Sequence, residues 1–165
     1  MISAVNPAPP PTKELGIAWV LLVFALALHV ADEALTGFLS VYNPTVLAMR
    51  QTIKWLPLPV FRFDTWLTGL VCAVIVLFLL SRFVFRGDRW IRPLGYFFAI
   101  LMIANGLGHT AGTVLGKTVA SVSFPRPMPG FYSSPFLLAA SVHLLIQLRR
   151  TAKSNSAAPV LAHPG

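Results

Sequence analysis

Apolar positions fall into four long blocks along the chain, separated by short polar connections. The first runs from Leu15 to about Phe38, the second from Asp64 to about Phe85, the third from about Ile91 to Gly116, and the fourth from near Tyr132 to Gln147. At a rise of about 1.5 Å per residue, each block covers or nearly covers about 30 Å of hydrocarbon as a helix, the fourth being the shortest. Between the first two blocks, Tyr42-Asn43-Pro44-Thr45 reads as a helix start with Asn43 as N-cap and Pro44 at the first helical position. Val46, Met49, Ile53 and Leu56 then recur at three-and-four spacing, while Arg50, Gln51 and Lys54 fall off that stripe and Pro57 and Pro59 end it. A short amphipathic segment of this kind lies on a membrane rather than crossing it. The pattern predicts an all-α membrane protein, a four-transmembrane-helix bundle with a short interfacial amphipathic helix between spans 1 and 2.

The ends lack this pattern. Residues Met1 to Thr12 hold Pro7, Pro9, Pro10 and Pro11, and the chain from Ser154 onward is a Ser/Ala/Pro tail. Segments so poor in periodic apolar positions do not bury enough surface to order themselves. The expected organisation is a disordered tail over 1–14, a four-helix transmembrane domain over 15–150 and a second tail over 151–165. A cleaved signal peptide is not expected, because Lys13 is offset by Glu14 and prolines precede it. Trp19 suits the interfacial aromatic belt. Cys72, without a partner for a disulfide, reads as a packing residue.

Composition agrees with the blocks: 56% of residues are hydrophobic and 11% charged, against roughly a quarter charged in a soluble domain. A net charge of +8 raises the question of nucleic acid. A nucleic-acid binder, however, gathers its cations on one soluble face. Here Arg82, Arg86, Arg89 and Arg92 sit between two blocks and Arg149, Arg150 and Lys153 follow the last, so the partner is the lipid bilayer and not a nucleic acid. With four spans, these seven and Lys13 share one side, against Arg50, Lys54, Arg62, Lys117 and Arg126 on the other. The positive-inside rule then puts both termini of a multi-pass cell-membrane protein in the cytoplasm.

The candidate chemistry lies in two stretches. In His29-Val30-Ala31-Asp32-Glu33, helical spacing of three and four residues sets the imidazole beside both carboxylates, and Thr36 continues the face. In Asn105-Gly106-Leu107-Gly108-His109, the amide and the imidazole share a face, with Thr113 a turn further. Ala104, Gly108, Gly112 and Gly116 form a neighbouring stripe of small residues that would let another helix approach closely. His29 and Asn105 each lie about 14 residues from the cytoplasmic ends of their spans, roughly 20 Å in, with Glu33 and His109 one turn further. Asp32 and Glu33 fall near a helix end that stops at Gly37, where negative charge opposes the macrodipole. The third helix brings a second negative dipole end to the same level. Such a place calls for a cation.

His29, Asp32, Glu33 and His109 are therefore the candidate metal ligands, with Glu33 or Asn105 as general base or ligand-orienting group. Two imidazoles and a carboxylate form a common open site for zinc or iron. The alternatives are plainer: carboxylates solvated at the headgroup level, and imidazoles that only pack. Asp64 reads as the N-cap of the second helix, His143 as a packing residue, and Tyr132 as an interfacial tyrosine within reach of the site.

Taken together, His29-Val-Ala-Asp32-Glu33 with Thr36-Gly37-Phe38, Asn105-Gly-Leu-Gly-His109 and Tyr132 near Pro135 resembles the HXXEE family of small membrane proteins. The likeness runs in spacing from about residue 17 to residue 146. The family motif has two glutamates where this chain has Asp32 first, and its Tyr-x-Pro-Gly element differs from Tyr132-Ser133-Ser134-Pro135. The resemblance implies where a site lies and implies no reaction.

Three functions fit these residues. A metal-dependent membrane enzyme would act on a lipid or another amphipathic substrate near the outer face. An ion or small-molecule carrier would use the intramembrane carboxylates, and with four spans would act as a homo-oligomer. A redox protein would hold a haem between His29 and His109, although two carboxylates suit a haem pocket poorly.

Overall fold

The structure, a computed structural model, describes residues 11–157 as five helices: α1 (Pro11–Thr36), α2 (Leu39–Thr52), α3 (Phe63–Arg86), α4 (Ile91–Leu115) and α5 (Ser134–Ala157). Among the described residues there is no strand, only one isolated bridge between Lys117 and Ser123. Segment 12–36 of α1, with α3 and α4, gives three helices long and apolar enough to cross a membrane. The chain is thus all-α and suited to a membrane. α5 is as long as α3, at 24 residues, but its second half is polar.

α1 packs along both α3 and α5, and α4 packs along α5. The pairings α1–α3 and α4–α5 are antiparallel: Trp19 near the start of α1 donates to the Leu77 carbonyl late in α3 at 2.8 Å, and Gly95 early in α4 faces Leu148 late in α5. α1 and α4 run parallel, with Trp19 edge-on to Phe98 and His29 against Asn105. The core is the space among α1, α4 and α5, filled by Leu22, Phe98, Leu137 and Leu144. α3 is apolar all round although only its side toward α1 is covered, the pattern of a helix whose solvent is hydrocarbon.

Most helix bounds follow the hydropathy blocks, and the departures have local causes. α1 ends where Gly37 adopts φ +78 and Phe38 N–H reaches back to the Glu33 carbonyl at 2.9 Å, a left-handed helix stop. The chain re-enters a helix at Leu39, four residues before the expected start, and Pro44 falls inside α2. Asn43 is not its N-cap. Its amide donates to the Phe61 carbonyl at 2.9 Å and accepts from Phe61 N–H at 3.0 Å, tying α2 to the segment before α3. Asp64 is not an N-cap either; it lies in the first turn of α3, paired with Arg62 at 3.3 Å.

The expected tails also shrink. Residues 11–14 belong to α1, since proline suits a first helical turn. α5 passes Arg149-Arg150 and continues to Ala157, because arginine is a good helix former and Thr151 remains buried against the bundle. The rest of both expected tails lies outside the described residues. Trp19 is buried rather than interfacial, its indole N–H needing the Leu77 carbonyl, and Cys72 is exposed on α3 rather than packed.

Candidate metal centre

The last two turns of α1, the last third of α4 and the start of α5 meet at one end of the bundle. Positions four apart on a helix share a face, so α1 presents His29 and Glu33 together and α4 presents Asn105 and His109. His29, Glu33 and His109 are only 0%, 5% and 2% exposed, so protein groups must satisfy their polar atoms. Glu33 Oε1 lies 3.1 Å from His109 Nε2 and 3.5 Å from His29 Nε2. Asn105 bridges the two rings, its Nδ2 at 3.1 Å from His29 Nε2 and its Oδ1 at 3.1 Å from His109 Nε2.

The hydrogen-bond partners favour one arrangement of the protons. The Asn105 NH2 group can only donate, so His29 Nε2 accepts and the His29 proton sits on Nδ1. That proton meets Ser133 Oγ at 2.8 Å. Ser133 Oγ–H in turn donates to Asp32 Oδ2 at 2.8 Å, and Ser133 N–H donates to the same oxygen at 2.9 Å. His109 Nε2 faces two acceptors and donates to them, which leaves its Nδ1 buried without a partner.

The cover over this cluster is backbone. Gly130 adopts φ +84, and a Cβ there would lie 2.8 Å from His109 Cε1, 2.9 Å from its Nδ1 and 3.0 Å from Glu33 Cγ. Its N–H donates to Thr36 Oγ1 at 3.2 Å, and its carbonyl accepts from Ser134 Oγ at 2.7 Å. Only glycine fits both the left-handed backbone and the space.

The donor atoms of His29, Glu33 and His109 lie within 4.8 Å of one another. Bonds of about 2.0–2.1 Å in a tetrahedron set ligand atoms about 3.4 Å apart; the two separations from Glu33 Oε1 are 3.1 and 3.5 Å, and to ligate, His109 would move its proton from Nε2 to the unpartnered Nδ1. Two imidazole nitrogens and one carboxylate oxygen match an open, catalytic type of site. His29 also meets the usual requirement that the far nitrogen of a ligating imidazole be held, by Ser133 and through it Asp32. His109 lacks that support. The donor set fits a metal.

The expected site residues divide. His29, Glu33 and His109 come together, and Asn105 touches both imidazoles. Asp32, expected among the ligands, stands outside the group, because successive helical residues point about 100° apart and its carboxylate is taken by Ser133. Tyr132 is 68% exposed and His143 is exposed on α5, so neither enters the centre. Ser133 and Gly130 were not anticipated. Their only sequence signals are ordinary ones, a serine just before a helix and a Pro-Gly turn.

The small-residue stripe also has a different place. Close approach to α5 is made by Gly95 and Gly106, whereas a Cβ at Gly108 would meet nothing within 4 Å. Gly108 instead faces a cavity of about 320 Å³ between α2 and α4, which Asn105 and His109 also line. No family model, curated protein or solved structure matches the chain.

Proposed function

We propose that the chain is a membrane-embedded metalloenzyme that holds one divalent zinc or iron ion on His29, Glu33 and His109 and acts on an amphipathic substrate. The observation that carries this reading is the convergence of three buried ligating groups from two helices, their donor atoms within 4.8 Å of one another. A carboxylate so placed is costly in a membrane bundle unless it is paired or bound to a cation. Asn105, which cannot ionise, orients the two imidazoles and takes no proton. The Ser133–Asp32 pair keeps the His29 proton on Nδ1 and so turns the Nε2 lone pair toward the centre. A metal held this way supplies a bound water of lowered pKa, about 7 for zinc, and polarises a substrate oxygen.

The same reading makes α1, α3, α4 and α5 four spans with both termini in the cytoplasm. Its support is the antiparallel packing of α5 along α4 and the greater share of the cations, eight of thirteen including Arg149-Arg150 late in α5, at the end away from the site. The α2 helix and the centre then lie toward the outer face. A haem between His29 and His109 is disfavoured, since their rings stand edge to face at 4.8 Å with Glu33 and Asn105 touching both. No porphyrin plane fits between them.

Elemental analysis of the purified protein tests the proposal. Near-stoichiometric zinc or iron is expected, without a haem absorption band, and His29→Ala and His109→Ala are expected to lose it while still inserting. Metal-free wild-type protein after growth with added zinc and iron would remove the proposal.

A further inference from the structure

The groove between α2 and α4 has a chemistry of its own. Its floor is the face of α4 that carries Ala104, Gly108 and Leu115, and its wall is Phe38 and Val41. Tyr42 adds a phenol whose hydroxyl donates to the Pro59 carbonyl at 3.1 Å, with burial raising its pKa against the pull of Arg50. Its volume of about 320 Å³ is at the lower end of the roughly 300–1,000 Å³ of small-molecule sites. That suits one chain rather than a two-chain lipid. Gly108 is the telling residue. Mid-helix glycine costs roughly 0.5–1 kcal/mol relative to alanine, yet here no packing demands it, since an added Cβ would meet only open space. What the missing side chain keeps open is the groove.

One end of the groove is polar through Asn105 and His109, and Lys117 lines the other. The Arg126 guanidinium packs against Gly116, the residue before Lys117 in the chain, where a Cβ would be 2.7 Å from its Nε. Among the described residues, neither cation has a carboxylate within 4.0 Å: Glu33 is taken by the imidazoles, Asp64 by Arg62, and Asp32 by Ser133. The negative end of α4 offsets only about half a charge of the two. An apolar trough with a surplus cation at its mouth is complementary to an apolar chain with an anionic head.

We propose that this groove binds a single-chain amphipath with a carboxylate or phosphate head, the head at Lys117 and Arg126 and the chain over Gly108. As the substrate class of the metal centre this rests on the function proposed above; as a binding site it stands on the groove alone. Lys117 follows the end of α4, eight residues beyond His109 and twelve beyond Asn105, so the ligand would pass these two side chains about 12 and about 18 Å along the helix from the anchored charge.

Photocrosslinking of the full chain in maltoside micelles tests this, using a diazirine-bearing palmitate with unlabelled palmitate, hexadecyl phosphate and hexadecanol as competitors. Labelling is expected to saturate, to map to α2 and the Gly108 face of α4, and to yield to both anions but not to the alcohol. Gly108→Leu, which fills the groove, and Lys117→Glu are each expected to weaken binding about tenfold or more. Both variants should retain the metal content of wild type, which also shows that they fold. Labelling spread evenly over α3, or unchanged in Gly108→Leu, would overturn the site even if metal is bound. Equal competition by hexadecanol would overturn the anionic head. Saturable, anion-selective labelling of a protein that binds no metal would uphold the groove and remove only its link to a metal reaction.

Discussion

Ser133 Oγ lies 2.8 Å from His29 Nδ1, across 104 residues of chain, and this contact decides which face of the imidazole is available. With its proton held on Nδ1, the His29 Nε2 lone pair can accept from Asn105 or bind a metal and has no hydrogen to give the Glu33 oxygen 3.5 Å away. The serine is in turn held by two bonds to Asp32. The carboxylate beside Glu33 in sequence therefore acts one residue removed from the centre.

Ser133→Ala should weaken metal binding without abolishing it. Loss of a group that supports a ligating imidazole typically costs about 10–100-fold in affinity. Competition against a chelator would measure this, with Ser133→Thr, which keeps the hydroxyl, restoring most of it. An unchanged affinity in Ser133→Ala would mean that the His29 tautomer does not depend on the serine.

Stripping the metal with a chelator should lower the thermal midpoint. A ligand at a hundred times its dissociation constant contributes about 2.7 kcal/mol to the native state. The drop should disappear in His109→Ala, which has nothing to lose.

Two glycines should respond in opposite directions to the same substitution. Gly130→Ala places a Cβ 2.8 Å from His109 on a backbone at φ +84 and should destabilise by more than about 1 kcal/mol while disturbing the metal centre. Gly108→Ala meets open space and should stabilise by up to about 1 kcal/mol. Thermal midpoints of the two variants in the same detergent provide the comparison.

Asn43→Ala should loosen α2 without unfolding the bundle. It removes both bonds to Phe61, worth about 0.5–1.5 kcal/mol each. Hydrogen exchange at the Phe61 amide should quicken, while exchange in the buried part of α1 stays slow.

For the proposed topology, reporter fusions after Lys153 should behave as cytoplasmic and fusions within residues 117–126 as external. A cysteine at Arg50 should react with a membrane-impermeant reagent added from outside. Protection of that cysteine, or an externally active reporter at Lys153, would reverse the assignment.

How much of this could be read beforehand depends on distance along the chain. Hydropathy blocks place α3 and α4 to within a residue or so, because a bilayer-length apolar run leaves little freedom. The pairs His29/Glu33 and Asn105/His109 were legible for a similar reason, four-residue spacing being a property of one helix. Ser133 and Gly130 were not, since their roles exist only once α5 returns beside α1. Trp19 and Cys72 exchanged their expected places because periodicity says that a helix has faces, not which neighbour each face meets. The small-residue stripe misled in the same way: glycine permits close approach, and at Gly108 nothing approaches.

The centre is assembled from both ends of the chain, and this sets an order of events during synthesis. His29 and Glu33 leave the ribosome with the first helix, well before His109 and before the Gly130–Ser133 segment that covers them. Until α4 arrives, the nascent chain carries a carboxylate and an imidazole with no mates, and until α5 threads, the His29 proton has no holder. If the three groups hold a metal as proposed, its capture is a late step, and a chain truncated before residue 130 would carry ligating side chains open to the wrong ion.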